Sequence, residues 1–300
     1  MRTDGDVWDI VSSVGLTALG VATFRALEAA DPDPLIQDDY APLFVEAAGE
    51  PHFTGLLADP SPLAGTPLVP GFMGFRTKFF DELFLSAVAN GVRQAVIVAA
   101  GLDARAYRLD WPTGTTVFEI DQPKVLEFKE KVLVEHDARP KADRRAVAVD
   151  LREDWPAALE AAGFDPDKPT VWSAEGLLPY LPGAAQDALF EQIVELSALG
   201  SRLGVESFVT GTDVKRFATI ESKYFDKSLF GDIDLAELFY DDERADPVQW
   251  LTESGWSVQT FSPAELASAY GRSAPQLPDE LTELWQQPRY LTAVCEPRGR

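Results

Sequence analysis

Three hundred residues, 46% of them hydrophobic and 25% charged, exclude a disordered, collagen-like or low-complexity chain and allow one large domain or two small ones. A chain of this length buries most of its apolar surface without disulfides, and the single cysteine, Cys295, cannot form an internal one. Forty-nine acids against twenty-six bases give a net charge of −23, which argues against nucleic acid or an anionic membrane surface as partner.

The stretch from Ile10 to Phe24 carries no charge, but Asp4, Asp6 and Asp9 precede it where a secretory signal needs cations. Serine, threonine and glycine dilute it, and it is too short for a membrane span. It reads as an N-terminal helix packed on the domain, and the chain is expected to be cytoplasmic. Asp31-Pro32-Asp33-Pro34 ends that helix, because the residue before each proline is pushed out of the helical region. Helical pieces and turns follow to about Pro70, and the proline and glycine cluster from Asp59 to Gly71 reads as a surface loop or lid. Phe79, Phe80, Leu83, Phe84, Ala87 and Val88 then make one apolar helical stripe, which Asn90-Gly91 closes. The phenylalanines here, with Phe75, are expected in the core.

Ala95 to Ala100 (AVIVAA) is a short apolar run bounded by glycines, the signature of a strand buried on both faces. Further strands are expected at 115–120, 145–149, 169–174 and 201–208, with helices at 124–134, 155–162 and 184–199 between them. Strand, helix, strand at this spacing implies right-handed crossovers and a parallel sheet, so the fold class is α/β, doubly wound and Rossmann-like. Residues from about Thr210 to Trp250 read as a mostly helical, acidic insertion, with the run Asp232 to Asp246 as its solvated face. Strand character resumes at 256–261 and 289–295, which suggests an antiparallel hairpin closing the sheet. The chain is thus expected to be one domain: a helical cap (1–90), a ligand-binding core (91–208), an insertion (209–250) and closing strands (251–300).

In an open parallel sheet ligands bind beyond the carboxyl ends of the strands, where strand order reverses. The residues there are Gly101-Leu102-Asp103, Glu119-Ile120-Asp121, Asp150-Leu151 and Glu175-Gly176. Gly101 permits a tight turn and close approach of backbone to ligand. The loop AAGLDARAYRL has one glycine where dinucleotide sites have three, so NAD or FAD is disfavoured, and no Gly-Lys-Ser/Thr phosphate loop exists. An acid ending the second strand, Asp121 or Glu119, suits the two hydroxyls of a ribose. Asp150 could accept from an adenine amine while the Leu151 amide donates to a ring nitrogen. Together these point to adenosine without phosphates, and an acidic pocket suits a cationic sulfonium.

The segment VAAGLDARAYRLDWPTGTTVFEIDQPKVLEFK, from Val98 to Lys129, resembles the leucine carboxyl methyltransferase family, in particular its branch of mycobacterial-type S-adenosyl-L-methionine-dependent methyltransferases. WDIVSSVGLTAL near Trp8, DPDPLIQDDYA near Asp31, RTKFFD from Arg76, VDLRED from Val149 and SAEGLLPYLP from Ser173 match in the family's order and extend the resemblance over most of the chain. The resemblance implies a class I methyltransferase fold with S-adenosyl-L-methionine as cofactor. By position, it implies that Arg76 pairs with the methionine carboxylate and Gly101 packs against the cofactor. Asp121 would then hold the ribose, Asp150 and Leu151 the adenine, and Glu175 the methionine amine.

Other roles stand beside these. Arg76 could be a surface arginine at a helix start, Asp150 could cap the following helix, and Asp103 could cap the first sheet-following helix. Glu119 could simply pair with a nearby base. Arg105 and Arg108 read as structural ion-pair partners, and Tyr180 as lining of the acceptor pocket. His52 and His136 read as exposed or loop residues, without a motif that would make either a base or a metal ligand. Methyl transfer to a carboxylate needs no general base whereas transfer to a hydroxyl does, so the absence of an evident base favours a carboxylate or acidic oxygen on a small molecule or peptide. Arg76, Lys78, Arg105 or Arg108 would compensate such an acceptor's charge. An NAD(P)-linked oxidoreductase and a non-catalytic S-adenosylmethionine-binding protein are the alternatives.

Overall fold

The computed structural model describes residues 10, 14–63, 70–208, 223, 230–231, 235–240 and 242–297. Residues 8–9 and 11–13 of the motif around Trp8, most of the 209–234 stretch and residues 64–69 of the proline and glycine cluster lie outside the described residues.

Among the described residues four α-helices precede the sheet: α1 (Val14–Ala29), α2 (Ala41–Ala48), α3 (Pro51–Ala58) and α4 (Pro70–Ala89). Asp31-Pro32 follows the first of them, as the proline pattern requires. Arg25 on α1 donates from Nε to Asp38 Oδ2 at 2.8 Å, and Asp38 Oδ1 accepts the Ala41 N–H that begins α2. One buried carboxylate thus joins two helices and satisfies a helix-end donor. His52 lies within α3, half-buried with its ring edge-on to Phe53, and not in a loop. Phe75, Phe79, Phe80 and Phe84 are all buried, as their spacing predicts.

The sheet strands are β1 (Gln94–Val98), β2 (Thr116–Asp121), β3 (Asp143–Ala148), β4 (Thr170–Ala174), β5 (Arg202–Phe208), β6 (Trp256–Phe261) and β7 (Pro288–Cys295). Their order is β3-β2-β1-β4-β5-β7-β6. The first five run parallel, and β7 lies antiparallel between β5 and β6. Helices α5 (Arg105–Arg108), α6 (Pro123–Glu135), α7 (Trp155–Ala161) and α8 (Gly183–Glu195) connect the parallel strands.

Strand alternation divides the core in two. Ala95, Ile97, Val117 and Val171 face the layer built from α1, α4 and α6, with Phe24, Phe80, Phe84 and Leu133. Val96, Val98, Phe118 and Trp172 face the layer of α7 and α8, with Trp155, Leu159, Phe190 and Ile193. Both faces of the central strands are therefore covered, which explains their unbroken apolar runs. The outer strand β3 instead carries Asp143, Arg144 and Arg145, charges that discourage edge-to-edge pairing.

Of the insertion, α9 (Leu235–Leu238) and α10 (Pro247–Glu253) are described, followed by α11 (Pro263–Ala269) and α12 (Asp279–Trp285) near the closing strands. The acidic run is not only a solvated face. Asp242 accepts the Gly183 N–H at 2.7 Å, and Asp246 caps α10 and pairs with Arg289 at 2.6 Å. Arg244 donates to the carbonyls of Leu178, Leu181 and Tyr240, which anchors this segment on the loop after β4. Among the described residues no helix is long and apolar enough to cross a membrane.

Beneath the sheet-facing side of α6, Glu119 and Lys129 are both fully buried and meet at 2.8 Å, with Arg144 on the same carboxylate oxygen at 2.8 Å. Removing one partner of such a pair strands a buried charge. Lys129→Met is expected to destabilise the fold by about 3 kcal/mol, read as a lower urea midpoint. An unchanged midpoint would show that Arg144 alone satisfies Glu119.

Candidate cofactor site

The strand order reverses between β1 and β4, and the carboxyl ends of these strands with those of β2 and β3 form one rim. The turn after β1 is tight: Ala99 has φ 53° and Gly101 φ 48°. Left-handed backbone at a residue with a Cβ costs about 1 kcal/mol or more and tends to persist where a site requires it. A Cβ on Gly101 would stand 3.5 Å from the Ala18 side chain of α1, an ordinary contact, so glycine is needed here for its backbone angle. Arg25 Nη2 donates to Leu102 O at 2.7 Å and ties α1 to this turn.

Asp121 ends β2 and accepts the Gly101 N–H on Oδ2 at 2.6 Å and its neighbour's Gln122 N–H on Oδ1 at 2.7 Å. Among the described residues no cation lies within ion-pair distance of it. Burial pushes its carboxyl up to about 6, against the pull of the two backbone donors. Glu119, two residues earlier, is spent on Lys129 and Arg144 inside the sheet layer. Of the two acids considered for a ribose, only Asp121 stands at the rim with acceptor capacity left.

Asp150 follows β3 and is joined to β2 by Gln122, whose Nε2 donates to Asp150 Oδ2 at 2.7 Å. Arg152 closes on the same carboxylate through its backbone N–H and its side chain at 2.9 Å. Burial would raise the Asp150 carboxyl, but these donors outweigh it and hold it low. Asp150 does not cap the next helix. That role belongs to Asp154, which accepts the Ala157 N–H at 3.1 Å. Leu151, beside Asp150, is half-buried.

On the other side of the switch point lies a buried ion cluster. Arg76 sits mid-way along α4, 6% exposed, and is not a surface arginine at a helix start. Its Nη2 meets Glu206 Oε2 at 2.8 Å, and its Nε faces Glu175 Oε1 at 3.4 Å without hydrogen-bond alignment. Arg105 binds Glu175 at 2.8 Å, Asp81 at 2.7 Å and Asp103, with its guanidinium over the rings of Phe80 and Phe84. Arg108 holds Asp81 through two bonds of 2.6 Å. Asp103 also accepts the Arg105 N–H at 2.6 Å and so caps the α5 turn. Burial would raise the Asp103 carboxyl, but Arg105, Lys129 and Arg108 hold it low. Burial raises the Glu206 carboxyl, with Arg76 opposing.

Arg105 and Arg108 are thus structural partners, as expected, and are not free to compensate an acceptor's charge. Lys78 lies over the Tyr270 ring at 5.1 Å. Tyr180 packs edge-on against Phe239 at 5.0 Å in the loop after β4. His136 caps the C-terminus of α6, in the connection that leads to the amino end of β3. The structure brings Gly101, Asp121, Asp150 and Leu151 to one part of the rim, and Arg76 and Glu175 to the adjoining part. Sequence reasoning did not single out Gln122, Asp81 or Glu206. The one available signal was a glutamate inside the otherwise apolar run of β5.

The donor set fits an adenosyl amino acid. Asp121 can accept from vicinal hydroxyls and Asp150 from an amine. Arg76 retains Nε without a hydrogen-bond partner, and its Nη1 has only the Met73 sulfur at 3.5 Å.

Comparison with known proteins agrees with this geometry. The family profile for leucine carboxyl methyltransferase matches residues 18–194. A Rhodococcus jostii protein assigned as an S-adenosyl-L-methionine-dependent methyltransferase is 72% identical over 294 residues, covering 98% of this chain and 100% of its own. A Mycobacterium tuberculosis protein with the same assignment is 51% identical over 295 residues, covering 98% and 97%. A crystal structure of a Thermobifida fusca protein assigned as a methyltransferase superposes with a TM-score of 0.54 at 15% identity, covering 92% of this chain and 94% of that one, and shares the fold. The chain belongs to the leucine carboxyl methyltransferase family of S-adenosyl-L-methionine-dependent methyltransferases.

Proposed function

We propose that this methyltransferase methylates an anionic oxygen, a carboxylate or another acidic oxygen, on a small molecule or peptide. In this reading Arg76, Gly101, Asp121, Asp150, Leu151 and Glu175 hold S-adenosyl-L-methionine, in one cytoplasmic domain whose helical cap (1–90) and insertion (209–250) select the acceptor. The observation that carries the cofactor assignment is Asp121, which stands on the Gly101 N–H with no cation in ion-pair distance among the described residues, while Glu119 is fully buried and its Oε2 is taken by Lys129 and Arg144.

When bound, the cofactor supplies an electrophilic methyl group on a sulfonium. The chain's own part is to orient and to exclude water. Asp121 fixes the nucleoside through the ribose hydroxyls, and Asp150 with the Leu151 amide reads the adenine edge. Arg76 and Glu175 hold the two charges of the amino-acid end. An acceptor carboxylate is already ionised near pH 7 and needs no base. The family's name and the absence of an assigned base both support this acceptor class over a neutral hydroxyl. Tyr180 and Phe239, on the loop after β4 and the segment anchored to it, are placed to shape the acceptor's side of the rim.

Two outcomes are expected. Label transferred from methyl-labelled cofactor to a panel of carboxylic acids and peptides should be released as methanol by mild alkali, as methyl esters are. Label stable to alkali and confined to amines would refute the acceptor class. The second concerns pH. Ribose hydroxyls donate to the ionised carboxylate, so a ligand must displace the Asp121 proton below about pH 6. S-adenosylhomocysteine affinity should fall as pH drops through 6, and binding at pH 6 should release protons, measured by calorimetry in buffers of different ionisation enthalpy. Asp121→Asn should bind more weakly and lose this component. A pH profile shared by wild type and Asp121→Asn would remove Asp121 from the site.

A further inference from the structure

Glu206, on β5, belongs to the rim cluster but has no part in the reading above. It is 5% exposed. Its Oε2 accepts from Arg76 Nη2 and from the Gly176 N–H, each at 2.8 Å, and its Oε1 faces the buried Tyr290 hydroxyl at 3.5 Å. Gly176 has φ 62°, and a Cβ there would lie 2.6 Å from Arg76 Nη2. The guanidinium therefore reaches Glu206 only across a residue that has no side chain. Gly176 in the loop after β4, Glu206 on β5 and Tyr290 on β7 converge to fix one nitrogen of a helix-borne arginine.

This leaves Arg76 with two donors lacking a strong acceptor. Nε makes no hydrogen bond and only faces Glu175 Oε1 at 3.4 Å, and Nη1 has only the Met73 thioether. The natural complement of spare guanidinium donors is a carboxylate. The charges point the same way. Arg25, Arg76, Arg105 and Arg108 face five carboxylates, those of Asp38, Asp81, Asp103, Glu175 and Glu206. An unmatched buried negative charge is costly until a cation joins it. A ligand that brings both a carboxylate and an ammonium gives the spare donors an acceptor and sets a cation beside Glu175, without adding net charge to the cluster. Nucleoside binding does neither.

We propose that Glu206, seated by the side-chain-free Gly176, is the positioning residue that holds Arg76 for the amino-acid end of the cofactor. Glu206 acts through Arg76 and does not touch the ligand. The inference rests on the assignment of Arg76 and Glu175 to that end.

The test compares two ligands on the full chain by calorimetry: S-adenosylhomocysteine, and 5′-methylthioadenosine, which has the nucleoside and thioether but no amino-acid end. Glu206→Gln keeps a hydrogen-bonding side chain and removes the charge. It should weaken S-adenosylhomocysteine roughly tenfold to a hundredfold, the scale of one charge-assisted hydrogen bond, and leave methylthioadenosine unchanged. Gly176→Ala should give the same selective loss by pushing the guanidinium aside, and serves as the second variant should Glu206→Gln fold poorly. Arg76→Lys combined with Glu206→Gln should lose little more than Arg76→Lys alone, because both act through one guanidinium. Equal weakening of both ligands, or fully additive losses, would reduce Glu206 to a general structural role and overturn the proposal. Wild type that bound both ligands with selectivity unchanged in both single variants would overturn it alone. Wild type that bound neither ligand would instead refute the site assignment beneath it.

Discussion

The guanidinium of Arg105 joins three elements at the rim of the sheet. It takes α4 through Asp81, the turn after β1 through Asp103 and the end of β4 through Glu175. Two phenylalanine rings of α4 flank it. The cap helices and the sheet rim are thereby locked at the place where strand order reverses. Arg76 and Glu175 inherit their positions from this contact, since Glu175 is shared between the two arginines.

Such a cluster is a poor device for stability. Desolvating several charges costs about as much as their attraction returns, and a well-packed apolar replacement is often neutral or better. What it provides is geometry. Each guanidinium has a fixed fork of donors, and each carboxylate here is shared between elements, so a shift of one side chain breaks contacts of several. The opposite part of the rim is built differently. Asp121 leans on backbone N–H groups, and Gln122 carries its position across to Asp150. Backbone donors orient a carboxylate without neutralising it, which leaves its charge available to hydroxyl donors. One half of the site is thus a rigid ionic frame; in the other, Asp121 keeps acceptor capacity while Asp150 is held by Gln122 and Arg152.

Much of this was legible in the sequence, for identifiable reasons. β1, β2, β4 and β5 fall within a residue or two of their expected bounds, because strands covered on both faces are mostly apolar. β3 begins two residues before the expected 145, because its edge position admits the charges of Asp143 and Arg144 that break the apolar signal. α4 begins at Pro70, well before the phenylalanine stripe, because Gly71 and Gly74 dilute the helical pattern around Arg76. The rim carboxylates were found because chain order alone puts them at strand ends. Their partners were not, because Glu206, Asp81 and Gln122 meet the site only through tertiary packing. Asp150 illustrates the difference: the local pattern allowed a helix cap, and four residues of further turn hand that role to Asp154.

The most direct measurement is a crystal structure of the chain with S-adenosylhomocysteine. The ribose is expected on Asp121, the adenine at Asp150 and Leu151, and the amino-acid end between Arg76 and Glu175, with the Arg105 cluster unmoved. A ligand seated away from the β1–β4 switch point, or one that enters only after Arg105 has let go of Glu175, would contradict a preformed ionic frame at this rim.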